Sequence, residues 1–252
     1  ADDPAKRVGM YSFVNRGTIQ SDGVEPGVNT EAFRIEGDGV HTVTFDGGLY
    51  NNGGIIALAS SHNLSATNES NAASNGTALI IGDRATVPQF VNDGTVTGQT
   101  QGEGGGTAIG ILIEGGDSVD LVGGSLARIE NNSAINAFAT VDADSDLENV
   151  EAFAILDRSG TLLNIDNTGI IRATATATSF GSTAVAIDVS AATEAVTISN
   201  TYREDALSVA SITGDVRFGT AMDNQLIIDG HFTNDAGVTT RASVDGRVTA
   251  LG

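Results

Sequence analysis

One short motif recurs along most of the chain, and its regular return constrains the fold more than any other feature. An Asn is followed two residues later by Gly or Ser, and two residues further on by Ile or Val. The five full copies begin at Asn15, Asn51, Asn92, Asn131 and Asn167, with a partial copy at Asn200. Successive copies lie 33 to 41 residues apart. Self-similarity at such a period is typical of repeat architectures.

A second signature follows each copy of the first one. It is an Ala that opens an apolar run, at Ala32, Ala78, Ala108, Ala152 and Ala184. Near the C-terminus a third pattern, Ile or Val, then Gly, then Val or Phe at alternate positions, recurs every 16 residues around Gly214, Gly230 and Gly246. A period of 16 residues is too short for a strand plus an ordinary helix. We therefore expect coils of about 16–20 residues, two to each long repeat.

The alternation of residue types favours strands over helices. After Asn167, the small or apolar residues Ile171, Ala173 and Ala175 alternate with Thr174 and Thr176. An apolar period of two with β-branched residues between is typical of a strand with one face buried. Alanine alone would favour a helix, but the interleaved threonines and the period of 2.0 argue against it.

These patterns predict an all-β fold, a single-stranded right-handed parallel β-helix with loop insertions between its coils. We expect the Asn residues to stack as a turn ladder with hydrogen bonds between their side chains. Asn tolerates a left-handed backbone and Gly suits a tight corner, which accounts for their pairing. Residues 1–12 are expected to form a lead-in or cap. Residues 13–204 would be a β-helix with two-coil repeats, and residues 205–252 its continuation with 16-residue coils.

Composition narrows the classes of partner. The chain has 32 acidic residues against 12 basic ones and a formal net charge of −20. Such a surface repels nucleic acid and anionic lipid, so neither is an expected partner. There is no cysteine, which excludes disulfides and thiolate metal sites. No apolar run approaches the ~18 residues of a spanning helix, so we expect no direct membrane insertion of this chain.

Three stretches carry a resemblance to a known family: "ATVPQFVNDGTVTGQT", "NIDNTGIIRATATATSFGSTAVAIDVS" and "ITGDVRFG" with the following "DNQLIIDG". They resemble the β-helical passenger regions of alphaproteobacterial autotransporters and related cell-surface repeat proteins. The resemblance runs from about Phe13 to Val248. It implies export through a C-terminal outer-membrane barrel and an extracellular or cell-surface location. We also expect the C-terminal end to meet another chain segment, another subunit or a removed domain.

One acidic segment has the spacing of a possible cation site. Asp142, Asp144, Asp146 and Glu148 place carboxylates at alternate positions, with Glu151 following. Calcium prefers six to eight oxygen ligands, and a flexible acidic loop can supply them. The match to an EF-hand is incomplete, because Leu147 and Phe153 stand at two of its required positions. Calcium is therefore the one cofactor predicted, and a solvated acidic loop is the alternative interpretation.

The function that this sequence favours is a non-enzymatic extracellular surface protein, used for adhesion or for assembly into a cell-surface array or filament. The expected partners are other surface proteins, copies of the chain through the solenoid ends, and surface glycans. Two alternatives stay open: an enzyme acting on extracellular polysaccharide and a calcium-dependent surface-layer component. Acidic pairs such as Asp117 with Asp120 and Glu204 with Asp205 form no pattern across neighbouring coils. His41, His62 and His231 share no metal-ligand spacing.

Overall fold

The structure is a computed structural model that describes residues 10–60, 72–116, 122–141, 149–177, 181–202, 210–233 and 239–251. Regular structure in these segments consists of β-strands, and none of them contains a helix. A helix able to cross a membrane is accordingly not found within these ranges.

Seven successive coils build the molecule. The first two coils contain β1 (Phe13–Asn15), β2 (Thr18–Gly23), β3 (Thr30–Ile35) and β4 (Val43–Thr44), then β5 (Leu49–Asn51), β6 (Gly54–Ser60), β7 (Gly76–Ile81) and β8 (Ala85–Val87). The next two contain β9 (Phe90–Asn92), β10 (Thr95–Gln101), β11 (Gly106–Ile113) and β12 (Ser125–Leu126), then β13 (Arg128–Asn131), β14 (Ala134–Thr140) and β15 (Val150–Asp157).

The last three coils carry the chain to its C-terminal end. The fifth and sixth contain β16 (Asn164–Asn167), β17 (Ile170–Thr176) and β18 (Ser182–Val189), then β19 (Thr197–Thr201), β20 (Ser211–Thr213) and β21 (Asp215–Phe218). The seventh contains β22 (Gln225–Asp229), β23 (His231–Thr233), β24 (Thr239–Arg241), β25 (Ser243–Asp245) and β26 (Val248–Ala250).

Each coil adds one strand to each of three parallel seven-stranded sheets. Sheet A is ordered β1-β5-β9-β13-β16-β19-β22, sheet B is ordered β2-β6-β10-β14-β17-β20-β25, and sheet C is ordered β3-β7-β11-β15-β18-β21-β26. A small sheet of β4, β8 and β12 lies between sheets C and A, and β23 pairs with β24 as an antiparallel hairpin. This arrangement confirms the predicted parallel β-helix, while its right-handed winding stays a prediction.

The predicted coil length is wrong. Asn15 pairs with Asn51 and Asn131 with Asn167, so one coil takes about 36 residues rather than 16–20. The two signatures lie on different sheets of the same coil, so they do not mark two coils. At ~4.8 Å per strand, seven coils form a stack about 30 Å tall.

The 16-residue series near the C-terminus has the same explanation. Ile212 pairs with Val244 on sheet B, which is 32 residues away, whereas Ile228 between them pairs with Asn200 on sheet A. Strands on two sheets therefore share one short pattern. Strands before and after residues 203–209 also pair with each other, because β17 pairs with β20 and β18 with β21.

The core is a set of stacked columns, as the alternation predicted. On sheet B the first inward column is aliphatic and the next is small. The aliphatic column contains Ile19, Ile55, Val96, Ile135 and Ile171, and the small one contains Ala57, Gly98, Ala137 and Ala173. A Cβ on Gly98 would overlap the carbonyl oxygen of Ile109 on sheet C. Small residues at this position therefore allow sheets B and C to approach closely.

Candidate functional site

The five predicted ladder residues are brought together as one buried column. Each Asn donates from its side-chain Nδ2 to the Oδ1 of the Asn in the next coil. The donor–acceptor distances are 2.7–2.8 Å along the column Asn15, Asn51, Asn92, Asn131, Asn167 and Asn200. All six residues are buried. The structure thus places the predicted ladder residues in one hydrogen-bonded column that connects six successive coils.

Left-handed backbone conformation, the reason expected from the sequence, does not explain why Asn is paired with Gly in the motif. Among the described residues, the one non-glycine with positive φ is Arg84, and the motif glycines Gly17, Gly53, Gly94 and Gly169 are not in the left-handed region either. The Asn is required for its side-chain hydrogen bonds. The Gly is required by close approach, since a Cβ on Gly94 would overlap the carbonyl oxygen of Gly53 in the preceding coil.

The predicted calcium ligands, Asp142, Asp144, Asp146 and Glu148, lie outside the described residues, so this site stays a prediction. Glu151 lies on β15, is exposed, and pairs with Thr107 of the preceding coil. Within the described part of the chain, no group of three or more His, Asp or Glu side chains is placed to hold a metal ion. His41 contacts Asp38 in an exposed turn, with 2.8 Å between Nδ1 and Oδ2.

A cleft of about 410 Å³ lies on the outer face of sheet C. Phe153 and Leu156 line its apolar part, and Asp157, Asp188 and Arg217 line its polar part. The Asp157 carboxylate accepts hydrogen bonds from backbone N–H groups of Ser159, Gly160 and Leu162 within its own turn.

The Asp188 carboxylate accepts hydrogen bonds in a similar way to that of Asp157. Its Oδ1 accepts from the Ser190 hydroxyl at 2.6 Å, and its Oδ2 lies 3.4 Å from Nη1 of Arg217. Both carboxylates thus stabilise turns at the edge of the cleft. The recurring Asp-x-Ser, at Asp157 with Ser159 and at Asp188 with Ser190, is the sequence signal for these turns.

The outer face of sheet B is a different kind of surface. We call the outward side chains of β6, β10, β14 and β17 the neutral face. Those four strands have seven residues each and contain a single charged residue, Arg172. Acidic residues return on either side of it, at Asp22 of β2 and Asp245 of β25. Because the chain has 32 acidic residues, the lack of acidic residues on these four strands distinguishes the neutral face from the rest of the surface.

Two adjacent columns form the middle of the neutral face. One contains Ile56, Thr97, Asn136 and Arg172, and the other contains Leu58, Gln99, Phe138 and Thr174. Leu58 and Phe138 are half-buried, so part of each apolar side chain faces outward. Nδ2 of Asn136 lies 3.4 Å from the Thr97 hydroxyl. Apolar surface therefore alternates with amide and hydroxyl groups.

A shallow groove of about 220 Å³ lies at one edge of the neutral face, where the chain leaves sheet B for sheet C. Leu58 lines it together with Asp22, Gln99 and Gln101. The Asp22 carboxylate accepts two hydrogen bonds from the Gln20 amide, at 2.9 and 3.0 Å. No sequence motif marks these residues as a site, although the lack of acidic residues after four successive Asn motifs is a visible signal.

No protein-family model, no curated protein and no solved structure matches this chain.

Proposed function

We propose that this protein is a non-enzymatic structural module of a bacterial cell surface, in which a rigid solenoid holds a binding face and inserted loops in fixed positions for adhesion. The observation that carries the proposal is the neutral face, an ordered outward surface without acids on a strongly acidic molecule. The resemblance of the three sequence stretches to autotransporter passengers supports an extracellular location.

Rigidity is what the stack contributes to this function. Three parallel sheets and the buried Asn column fix each coil relative to the next. Outward residues on neighbouring strands are therefore held about 4.8 Å apart. A surface organised in this way can meet a ligand without first becoming ordered, and this lowers the entropic cost of binding.

The seventh coil exposes apolar side chains as well. Its strands β22, β25 and β26 are the outermost strands of sheets A, B and C at that end. Ile227, Ile228 and Val248 are exposed on them. Unpaired edge strands with apolar residues are ready to pair with further strands.

Three measurements on the intact protein test the proposal: protease treatment of cells, adhesion of coated beads, and incubation of the purified chain with polysaccharides. Protease added to whole producing cells should remove the protein if it is displayed. Beads coated with the folded chain should adhere to cell or matrix surfaces under flow, whereas beads coated with a helical protein of similar net charge should not. Confinement of the protein to the cell interior, absence of adhesion, or turnover of a polysaccharide by the purified chain would each contradict the proposal.

A further inference from the structure

We infer that the neutral face binds a neutral polysaccharide chain, with Leu58 and Phe138 contacting sugar rings and Gln99 and Asn136 hydrogen-bonding to sugar hydroxyls. This inference rests on the proposed adhesive function and specifies the chemical class of its ligand.

The charge distribution is the first argument. The molecule as a whole carries −20 and repels polyanions at a distance. The neutral face carries one charge, that of Arg172. This residue lies in the same outward column as Ile56, at the opposite end of the face. An uncharged ligand meets no electrostatic penalty on approach and leaves no carboxylate desolvated beneath it.

The chemistry of the side chains is the second argument. A sugar ring has an apolar C–H face and a rim of hydroxyl groups that both donate and accept hydrogen bonds. Phe138 and Leu58 lie in one outward column with Gln99 between them. Amide side chains have two donor hydrogens and an acceptor oxygen, so they match hydroxyls in either role. The groove beside Leu58 adds a concave edge to this surface, and the carboxylate in its lining, Asp22 of β2, accepts hydrogen bonds from Gln20.

The area of the face argues against a second copy of the chain as the occupant. Four strands at ~4.8 Å and seven residues at ~3.3 Å give a face of about 450 Å². Two such faces would bury about 900 Å² in total, less than the ~1,200 Å² at the lower limit of stable interfaces. Two copies would also each bring a net charge of −20. An extended polysaccharide needs only a strip of this surface.

The test uses the full chain and purified polysaccharides. In affinity electrophoresis and calorimetry with laminarin, dextran, mannan and xyloglucan, at least one neutral polysaccharide should bind, and the polyanion alginate should not. Phe138→Ser and Gln99→Glu should each weaken that binding about ten-fold or more, because one removes the apolar contact and the other places an acid on the face.

Gln225→Glu is the matched control, because Gln225 is exposed on β22 of sheet A and the change in charge is the same. Its affinity should equal that of the unaltered protein, and melting temperatures should show that all three variants are folded. Binding of no neutral polysaccharide, preference for alginate, or unchanged affinity in both face variants would overturn the inference. If coated beads adhere equally with and without the face variants, only the inference fails. If unaltered beads do not adhere, the proposed function fails.

Discussion

At the scale of single residues, the Asn column explains how polar side chains occupy the core. Every amide in the middle of the column donates to one neighbour and accepts from the other. The amide hydrogens also reach backbone carbonyls, as Asn131 Nδ2 does to the carbonyl oxygen of Ile170 at 3.1 Å. The last member, Asn200, donates to the carbonyl oxygen of Ser243 instead. A column of identical amides therefore satisfies itself, which a single buried Asn could not do.

Replacing an Asn in the middle of the column should lower the free energy of unfolding. In Asn131→Ala the Asn92 donor and the Asn167 acceptor each lose their partner in a buried position. Unsatisfied buried groups cost about 1–3 kcal/mol each, so we expect the free energy of unfolding to fall by about 2–4 kcal/mol. Urea unfolding followed by circular dichroism measures the change.

Asn136→Ala is the control for that experiment. Asn136 lies on the outward side of the strand that follows the same motif, and its side chain is only part-buried. Its loss should change the free energy of unfolding by about 0.5 kcal/mol or less. Equal losses in the two variants would show that the column does not stabilise the stack.

At the scale of the strand and its corner, a side chain at the position of the motif glycine requires neighbouring coils to move apart. The coil containing Ser133 shows how a side chain is accommodated there. The backbone hydrogen bond from Ala134 N to Gly94 O is 3.2 Å long, whereas the equivalent bonds in the other coils are 2.7–2.9 Å. The two coils are therefore slightly farther apart at the corner where Ser133 replaces Gly.

Gly94→Ala should therefore destabilise the fold, by about 1–3 kcal/mol, as overpacking usually does. The first coil offers a matched control, because a Cβ on Gly17 would meet nothing within 4 Å. Gly17→Ala should leave the melting temperature almost unchanged. A similar loss of stability in both variants would show that backbone conformation, rather than contact between coils, selects glycine at this corner.

Arg34 on β3 links three acidic residues at one end of sheet C. It hydrogen-bonds to Glu31 at 2.8 and 2.9 Å, to Glu36 at 2.8 Å and to Glu114 at 3.0 Å. The side-chain hydrogen bond to Arg34 holds the pKa of Glu31 below its usual value, although partial burial opposes the shift. The same hydrogen bond raises the pKa of Arg34.

Arg34→Gln should destabilise the protein at pH 7 by about 1 kcal/mol, because the three carboxylates lose their shared cation. The lowered pKa of Glu31 means that its stabilisation is present above its unfolded pKa and is lost as the pH falls through the folded pKa. The difference between variant and parent should shrink below about pH 4. Melting temperatures from pH 3 to 7 measure this, and a difference that does not depend on pH would contradict the account.

At the scale of the whole molecule, the sequence predicts the class of fold but not the number of residues in one coil. Alternation around Ile171 and Ala173 specifies strands with one buried face, and the repeated Asn specifies a ladder. The length of a coil depends on which strands pair. Ile212 and Ile228 have the same local pattern but belong to sheets B and A. A strand beside a glycine corner has the same residue pattern on any sheet, so the 16-residue spacing wrongly predicts the length of a full coil.

The candidate site, too, can be predicted only in part from the sequence. The absence of acids after Asn51, Asn92, Asn131 and Asn167 is visible in the sequence. The position of Phe138 beside Gln99, however, depends on the register of β10 against β14. Likewise Ala108 pairs with Gly76, not with Ala78, although both alanines open similar apolar runs. Neighbours across a sheet follow from pairing geometry, which local residue patterns do not encode.

One coil takes a full circuit of three sheets, and pairs of introduced cysteines can verify this in a chain that has no cysteine of its own. Thr213 and Asp245 are register partners on sheet B, with Cα atoms expected about 4.8 Å apart, within disulfide range. Asp229, midway between them in sequence, lies on sheet A. Under mild oxidation, non-reducing electrophoresis and peptide mass spectrometry should show a disulfide in Thr213→Cys/Asp245→Cys and none in Thr213→Cys/Asp229→Cys. The reverse result would contradict the seven-coil stack.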